Sequence, residues 1–144
     1  MWEITEQGLP ATGEVSVEQM GELLQLSDLC IGAYIDEKLV GFVLCLYPQK
    51  DYSSPNYAWF NERYNQFLYV DRIAISTQHR NIQIGSELYA KVFQLASEKQ
   101  IPVTAEVSLY PPNEGSDRFH LRHGFSSVGE FHQNGKSVTM YVRE

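Results

Sequence analysis

Two carboxylates, one imidazole and one loop have the residue types and settings that could do chemistry. Asp71 and Glu106 each interrupt a run of apolar and β-branched residues, 67–76 and 103–109, so both acids fall on strands. An acid in such a strand can accept a proton from a substrate, or it can pair with a cation in a structural network, as Asp71 could with Arg72 or Arg122. His120 titrates nearer to neutral pH than any other side-chain type, and either a proton-transfer role or dipole-favoured placement near a helix C-terminus would use it. Between the two strands, residues 77–81 are polar, and from Ile84 the apolar residues Ile84, Leu88, Val92 and Leu95/Ala96 recur at helical spacing. A loop that opens a helix in this way points unpaired N–H groups outward and forms an anion site.

The elements that must position these groups can be traced along the chain. Residues 2–12 carry Gly8 and Pro10 and suggest at most one short strand before irregular chain. Ser16 and Gln19 have the spacing of a capping box, with Val15 and Met20 as its hydrophobic staple, which predicts a helix to about Leu26. Two apolar runs, 29–34 and 39–47, flank the turn Ile35-Asp36-Glu37-Lys38 and predict an antiparallel hairpin. Residues 48–66 form a long connection rich in rings, of which Tyr52, Tyr57 and Trp59 could line a wet pocket or merely cover the sheet edge. A strand, a helix and a second strand follow, which implies a parallel pair with a right-handed crossover. Residues 114–123 predict a short helix stopped by Gly124, and Gln133-Asn134-Gly135 a final tight hairpin whose Val138, Met140 and Val142 alternate inward.

The stretch Arg80-Asn81-Ile82-Gln83-Ile84-Gly85 resembles the pyrophosphate-binding motif of the GNAT superfamily of N-acetyltransferases, with Gln83 where the first glycine of the family stands. The segment Asn113-x-x-Ser116-x-x-Phe119-His120-x-x-x-Gly124-Phe125 is similar to the second signature of that family, with His120 in the place of a tyrosine. The resemblance runs from about Leu29 to Val142 and looks most like a bacterial group of predicted acetyltransferases. It implies an α/β (α+β) fold with a mixed central sheet of about six or seven strands, flanking helices and a splayed parallel pair, as a single domain over residues 1–144. Acetyl-CoA is the implied cosubstrate, held by Ile73, Ala74 and Ile75 of the first core strand, by Arg80, Asn81, Ile82, Gln83, Ile84, Gly85 and Ser86, and by Asn113, Ser116 and Phe119. The implied reaction is transfer of acetyl to a primary amine of a small molecule by direct attack. Glu106 or Asp71 would be the base, His120 the acid, and Tyr52, Tyr57 and Trp59 would flank the acceptor. A non-catalytic acyl-CoA-binding module and a peptide or protein N-terminal acetyltransferase are the alternatives.

Composition narrows the partners. The formal net charge of −7 speaks against nucleic acid, which needs clustered Lys and Arg; it serves solubility first and mildly favours a cationic substrate. No stretch approaches the ~20 apolar residues of a membrane span, and the start of the chain lacks a signal-peptide pattern, so a cytoplasmic protein is expected. Cys30 and Cys45 each lie in an apolar segment, as buried reduced thiols would. His79, His120, His123 and His132 have no ligand-type spacing, so no metal is expected. The edge strands of the final hairpin leave a homodimer open.

Overall fold

A computed structural model describes residues 1–7, 16–79 and 83–144. Six strands form one sheet: β1 (Leu29–Ile35), β2 (Lys38–Leu46), β3 (Leu68–Ile75), β4 (Val103–Tyr110), β5 (Ser126–Gln133) and β6 (Lys136–Arg143). Their spatial order is β1-β2-β3-β4-β6-β5. Every neighbouring pair is antiparallel except β3 and β4. This is the mixed α/β sheet that the resemblance implies, with six strands.

Helices cover both faces. On one side lie α1 (Trp2–Gln7), α2 (Val17–Leu26) and α3 (Pro55–Arg63), whose Ile4, Met20, Leu23, Tyr57 and Phe60 pack on Phe42, Leu44, Tyr69 and Met140. On the other lie α4 (Ile84–Lys99) and α5 (Glu114–Arg122), with Leu88, Tyr89 and Val92 against Val70, Ala105 and Tyr141. None of the described helices is long and apolar enough to cross a membrane.

Several expectations hold and others give way. The capping box at Ser16 forms in full, while Val15, its staple partner, lies outside the described residues. Asn134 and Gly135 both take positive φ, 49° and 78°, as a tight hairpin turn requires. Residues 2–7 are helical where a short strand was expected. A helix of six residues has no stability of its own, so burial of Ile4 and Thr5 under the sheet must hold it. The long connection contains α3, started by Ser54, whose hydroxyl accepts from the Tyr57 N–H, and by Pro55 in the first turn. Aromatic rings on every side of that helix hid its period. Cys45 is buried, but Cys30 is exposed on the edge strand β1, which has helices against only part of its length.

Two irregularities position the chemistry. β3 and β4 pair only at Leu68↔Val103 and Tyr69↔Thr104, after which β3 stays with β2 and β4 with β6. The parallel pair therefore parts, as expected. In β3 the register jumps, with Cys45 opposite Val70 and Leu44 opposite Arg72, leaving Asp71 unmatched. Regular alternation would have put Tyr69, Asp71, Ile73 and Ile75 on one face. The bulge instead leaves Tyr69 on the α3 side with Arg72 and Ala74, and sends Ile73 and Ile75 to the α4 side.

Candidate active site

The parted strands carry one polar cluster on each face. On the α3 side, the bulge brings Asp71 and Arg72 together, and Arg72 Nε donates to Asp71 Oδ2 at 2.7 Å. The Tyr52 hydroxyl donates to Asp71 Oδ1 at 2.6 Å, so both carboxylate oxygens are engaged. Glu106 stands across the gap on β4. Its Oε1 accepts from the Tyr69 hydroxyl at 2.9 Å and from Asn56 Nδ2 at 3.2 Å. Its Oε2 is buried with no hydrogen-bond partner among the described residues, and so is Arg72 Nη1.

Burial, reinforced by the charge of Asp71, pushes the Glu106 carboxyl up to about 8, against the pull of its hydrogen bonds from Tyr69 and Asn56 and of the Arg72 charge. A carboxylate with that affinity for protons and one free oxygen is suited to general-base work near neutral pH. Asp71 is paired with Arg72, the ion pair that its sequence allowed.

On the α4 side, His120 is 3% exposed. Its Nδ1 lies 2.8 Å from the Ser116 carbonyl, which can only accept, so Nδ1 carries the proton. Its Nε2 then accepts from the Tyr89 hydroxyl at 2.7 Å. Burial lowers the affinity of this imidazole for a second proton, which keeps it neutral. The ring stacks on Tyr141 and stands edge-on to Tyr89, Phe119 and Phe125. The Tyr89 hydroxyl, itself fully buried and held protonated, feels the charge of Glu106 through the sheet.

Among the described residues, no side chain caps the start of α4. Gln83 precedes it with φ 64° and ψ 19°, a left-handed conformation that glycine adopts without penalty. Gln83 thus takes, at the position of the family's first glycine, a conformation that favours glycine. A side chain at Gly85 would meet the Phe119 ring at 3.1 Å, so this glycine lets α5 approach α4. Ser86 bonds His123 Nε2 at 2.9 Å. Asn113 caps α5 by accepting from the Ser116 N–H. Ile73 and Ile75 are half-buried and Ala74 is buried in β3. Arg80, Asn81 and Ile82 lie outside the described residues.

The three rings expected to flank the acceptor each have partners within the fold. Tyr52 holds Asp71; the Tyr57 hydroxyl donates to the Tyr47 carbonyl and accepts from the Lys50 N–H; and Trp59 sits over Gly129 and under the Arg63 guanidinium. Their neighbour Asn56 is the helix residue that reaches Glu106. It also walls an open groove of ≈ 260 Å³, with Phe131, Gln133, Asn134, Lys136 and Val138 of the β5–β6 hairpin. Asn56, Tyr69 and Tyr89 carried no distinguishing sequence signal. Their importance comes from partners 50, 37 and 31 residues away. No group of potential metal ligands occurs among the described residues.

The sequence matches the Acetyltransferase (GNAT) family over residues 2–125. The chain belongs to the GNAT acetyltransferase family. It is therefore an acyltransferase by descent, and its sheet with the parted parallel pair is the GNAT fold. No curated protein sequence matches the chain. Among solved structures it is similar to Ard1 from Thermoplasma volcanium (TM-score 0.78, 15% identity, 99% of this chain and 87% of that one). It is similar to Arabidopsis thaliana Naa50 in complex with the bisubstrate analogue CoA-Ac-MVNAL (0.73, 15%, 99% and 89%). It is also similar to a GNAT family acetyltransferase from Elizabethkingia anophelis with acetyl-CoA bound (0.65, 14%, 90% and 83%).

Proposed function

We propose that this GNAT protein transfers acetyl from acetyl-CoA to a primary amine of a small molecule, with Glu106 as general base. The observation that carries the reading is the buried Glu106 carboxylate beside the parted strands, held at one oxygen and free at the other. Acetyl-CoA, which a structural neighbour holds, supplies the reactive thioester. The uncapped N–H groups at Gln83, Ile84, Gly85 and Ser86 suit its pyrophosphate, and the backbone of Ile73, Ala74 and Ile75 suits its pantetheine arm. Glu106 accepts the proton that the amine loses as the C–N bond forms. The sulfur leaves as the CoA thiolate as the C–S bond breaks, and solvent protonates it. His120, whose Nδ1 proton bonds the Ser116 carbonyl and whose Nε2 accepts from Tyr89, holds that buried hydroxyl in place behind the parted strands.

The groove beside Asn56 is small for a ligand site, which favours a compact acceptor. Its lining holds Lys136 and no carboxylate, which favours a neutral or acidic acceptor over the cationic one that net charge alone suggested. A peptide N-terminus is the second reading, supported by the open side of the groove and by the peptide-bearing analogue in Naa50. Calorimetric titration with acetyl-CoA, followed by a screen of small amines and short peptides, tests these readings. Binding and turnover of small amines are expected. No binding would remove the cofactor assignment, and turnover of peptides alone would select the second reading.

A further inference from the structure

Asn56 belongs at once to the groove wall and to the hydrogen bonds of the buried carboxylate. We propose that Asn56 receives the acceptor nitrogen, holding a primary amine between its own Oδ1 and the free Oε2 of Glu106. This inference rests on the reading of Glu106 as the base.

The orientation of the amide follows from its partner. Only the NH₂ end can face a carboxylate oxygen, and Nδ2 lies 3.2 Å from Glu106 Oε1. Oδ1 is thereby fixed as an acceptor, and it has no hydrogen-bond partner in the described structure. Asn56 sits in the first turn of α3, where Ser54 caps the helix and Pro55 stiffens it, so the backbone that carries the amide is firmly placed. Glu106 Oε2 is the second acceptor, also without a partner. A neutral primary amine carries two N–H bonds and one lone pair. With one N–H on each acceptor, the lone pair is left to point at the thioester. An N-methyl amine or a hydroxyl has a single hydrogen, and leaves one of the two acceptors unsatisfied, which is most costly when it is the buried Glu106 Oε2. The arrangement thus selects primary amines by counting hydrogens.

Asn56 also tunes the base. The groups that face Glu106 are Tyr69, Asp71 and Arg72 from β3, Tyr52 from the chain before α3, and Tyr89 from the opposite face. Asn56 and Tyr69 are the two that donate hydrogen bonds to it. Removing one donor moves ionisation of Glu106 to higher pH.

The test compares wild type with Asn56→Ala and Asn56→Asp over a panel of primary amines, each paired with its N-methyl derivative, with kcat and KM measured across pH 6–10. Asn56→Ala should raise KM for the amine about tenfold, shrink the preference for primary over N-methyl amines, and shift the acid limb of kcat/KM upward. Its KM for acetyl-CoA should stay within about twofold, because Asn56 is remote from the start of α4. Asn56→Asp should be worse, since a second carboxylate faces Glu106 without a donor. Both variants should keep wild-type circular dichroism, because the cap at Ser54 is untouched. An unchanged amine preference and pH limb in a folded, active Asn56→Ala protein would overturn the inference. Failure of wild type to acetylate any amine would overturn the underlying reading instead.

Discussion

The two faces of the parted strands each bury an ionisable side chain, and they treat it differently. His120 has a partner at both nitrogens and aromatic rings around it, so every polar atom it brings inside is satisfied. Among the described residues, Glu106 has two donors on one oxygen and no partner on the other. Folding alone favours the first arrangement, because an unsatisfied buried polar atom costs roughly 1–3 kcal/mol. The second is what a site poised for a substrate looks like, since the missing partner can be supplied by the molecule to be transformed. His120 belongs to a finished structure and Glu106 to an unfinished one.

The largest test of this contrast is Glu106→Gln. It should cut acetyl transfer by ~10²–10⁴ while leaving acetyl-CoA binding intact, as read by steady-state kinetics and calorimetry. The same variant should be more stable than wild type at pH 8. The folded-state pKa of Glu106 is raised, so between about 4.5 and about 8 the unfolded chain releases a proton that the folded chain keeps, and wild type loses stability as pH rises through that window. Thermal melts at pH 5 and pH 8 should therefore show the gap between the two proteins widening with pH. A gap that stays constant would mean that Glu106 is ionised at no cost and the contrast fails.

His120→Phe should have a smaller effect, lowering kcat by up to about tenfold with little change in acetyl-CoA affinity, because the buried Tyr89 hydroxyl behind the parted strands loses its acceptor. Its stability profile should bend the other way. Burial depresses the affinity of His120 for protons, so wild type loses stability as pH falls below about 6.5, and the variant should lose less. An unchanged kcat would assign His120 to packing alone.

The smallest effect is expected at the anion site. Gln83→Gly should relieve a left-handed non-glycine residue and stabilise the fold by a few tenths of a kcal/mol at most, since glycine also loosens the unfolded chain. Acetyl-CoA affinity should hold or tighten modestly in titrations. A marked loss of affinity would mean that the Gln83 side chain itself contributes to binding.

What was legible in the sequence were features whose cause is local. The Ser16–Gln19 box, the Asn134-Gly135 turn and the crossover from β3 to β4 follow from residues a few positions apart. α1 was not legible, because tertiary burial of Ile4 and Thr5 holds it. Nor was α3, although Ser54-Pro55 is a helix-start signal that the surrounding aromatics obscured. The site divides along the same line. Glu106 was visible as an acid inside a strand, and the position of His120 followed from the second signature. The partners that decide what each does, namely Asn56, Tyr69 and Tyr89, are brought in by the fold over long stretches of chain. The bulge at Asp71 is the clearest case: one unmatched residue reverses the parity of a strand, and no composition rule announces it.

The parting of β3 and β4 has a mechanical side. Two antiparallel half-sheets, β1-β2-β3 and β4-β6-β5, are stitched together at one end by Leu68, Tyr69, Val103 and Thr104. A molecule seated in the open end acts as the missing seam and ties the halves along their length. Occupancy and rigidity are then one event, and the protein should become hardest to melt, and slowest to exchange its amide hydrogens along that seam, when it is loaded for reaction.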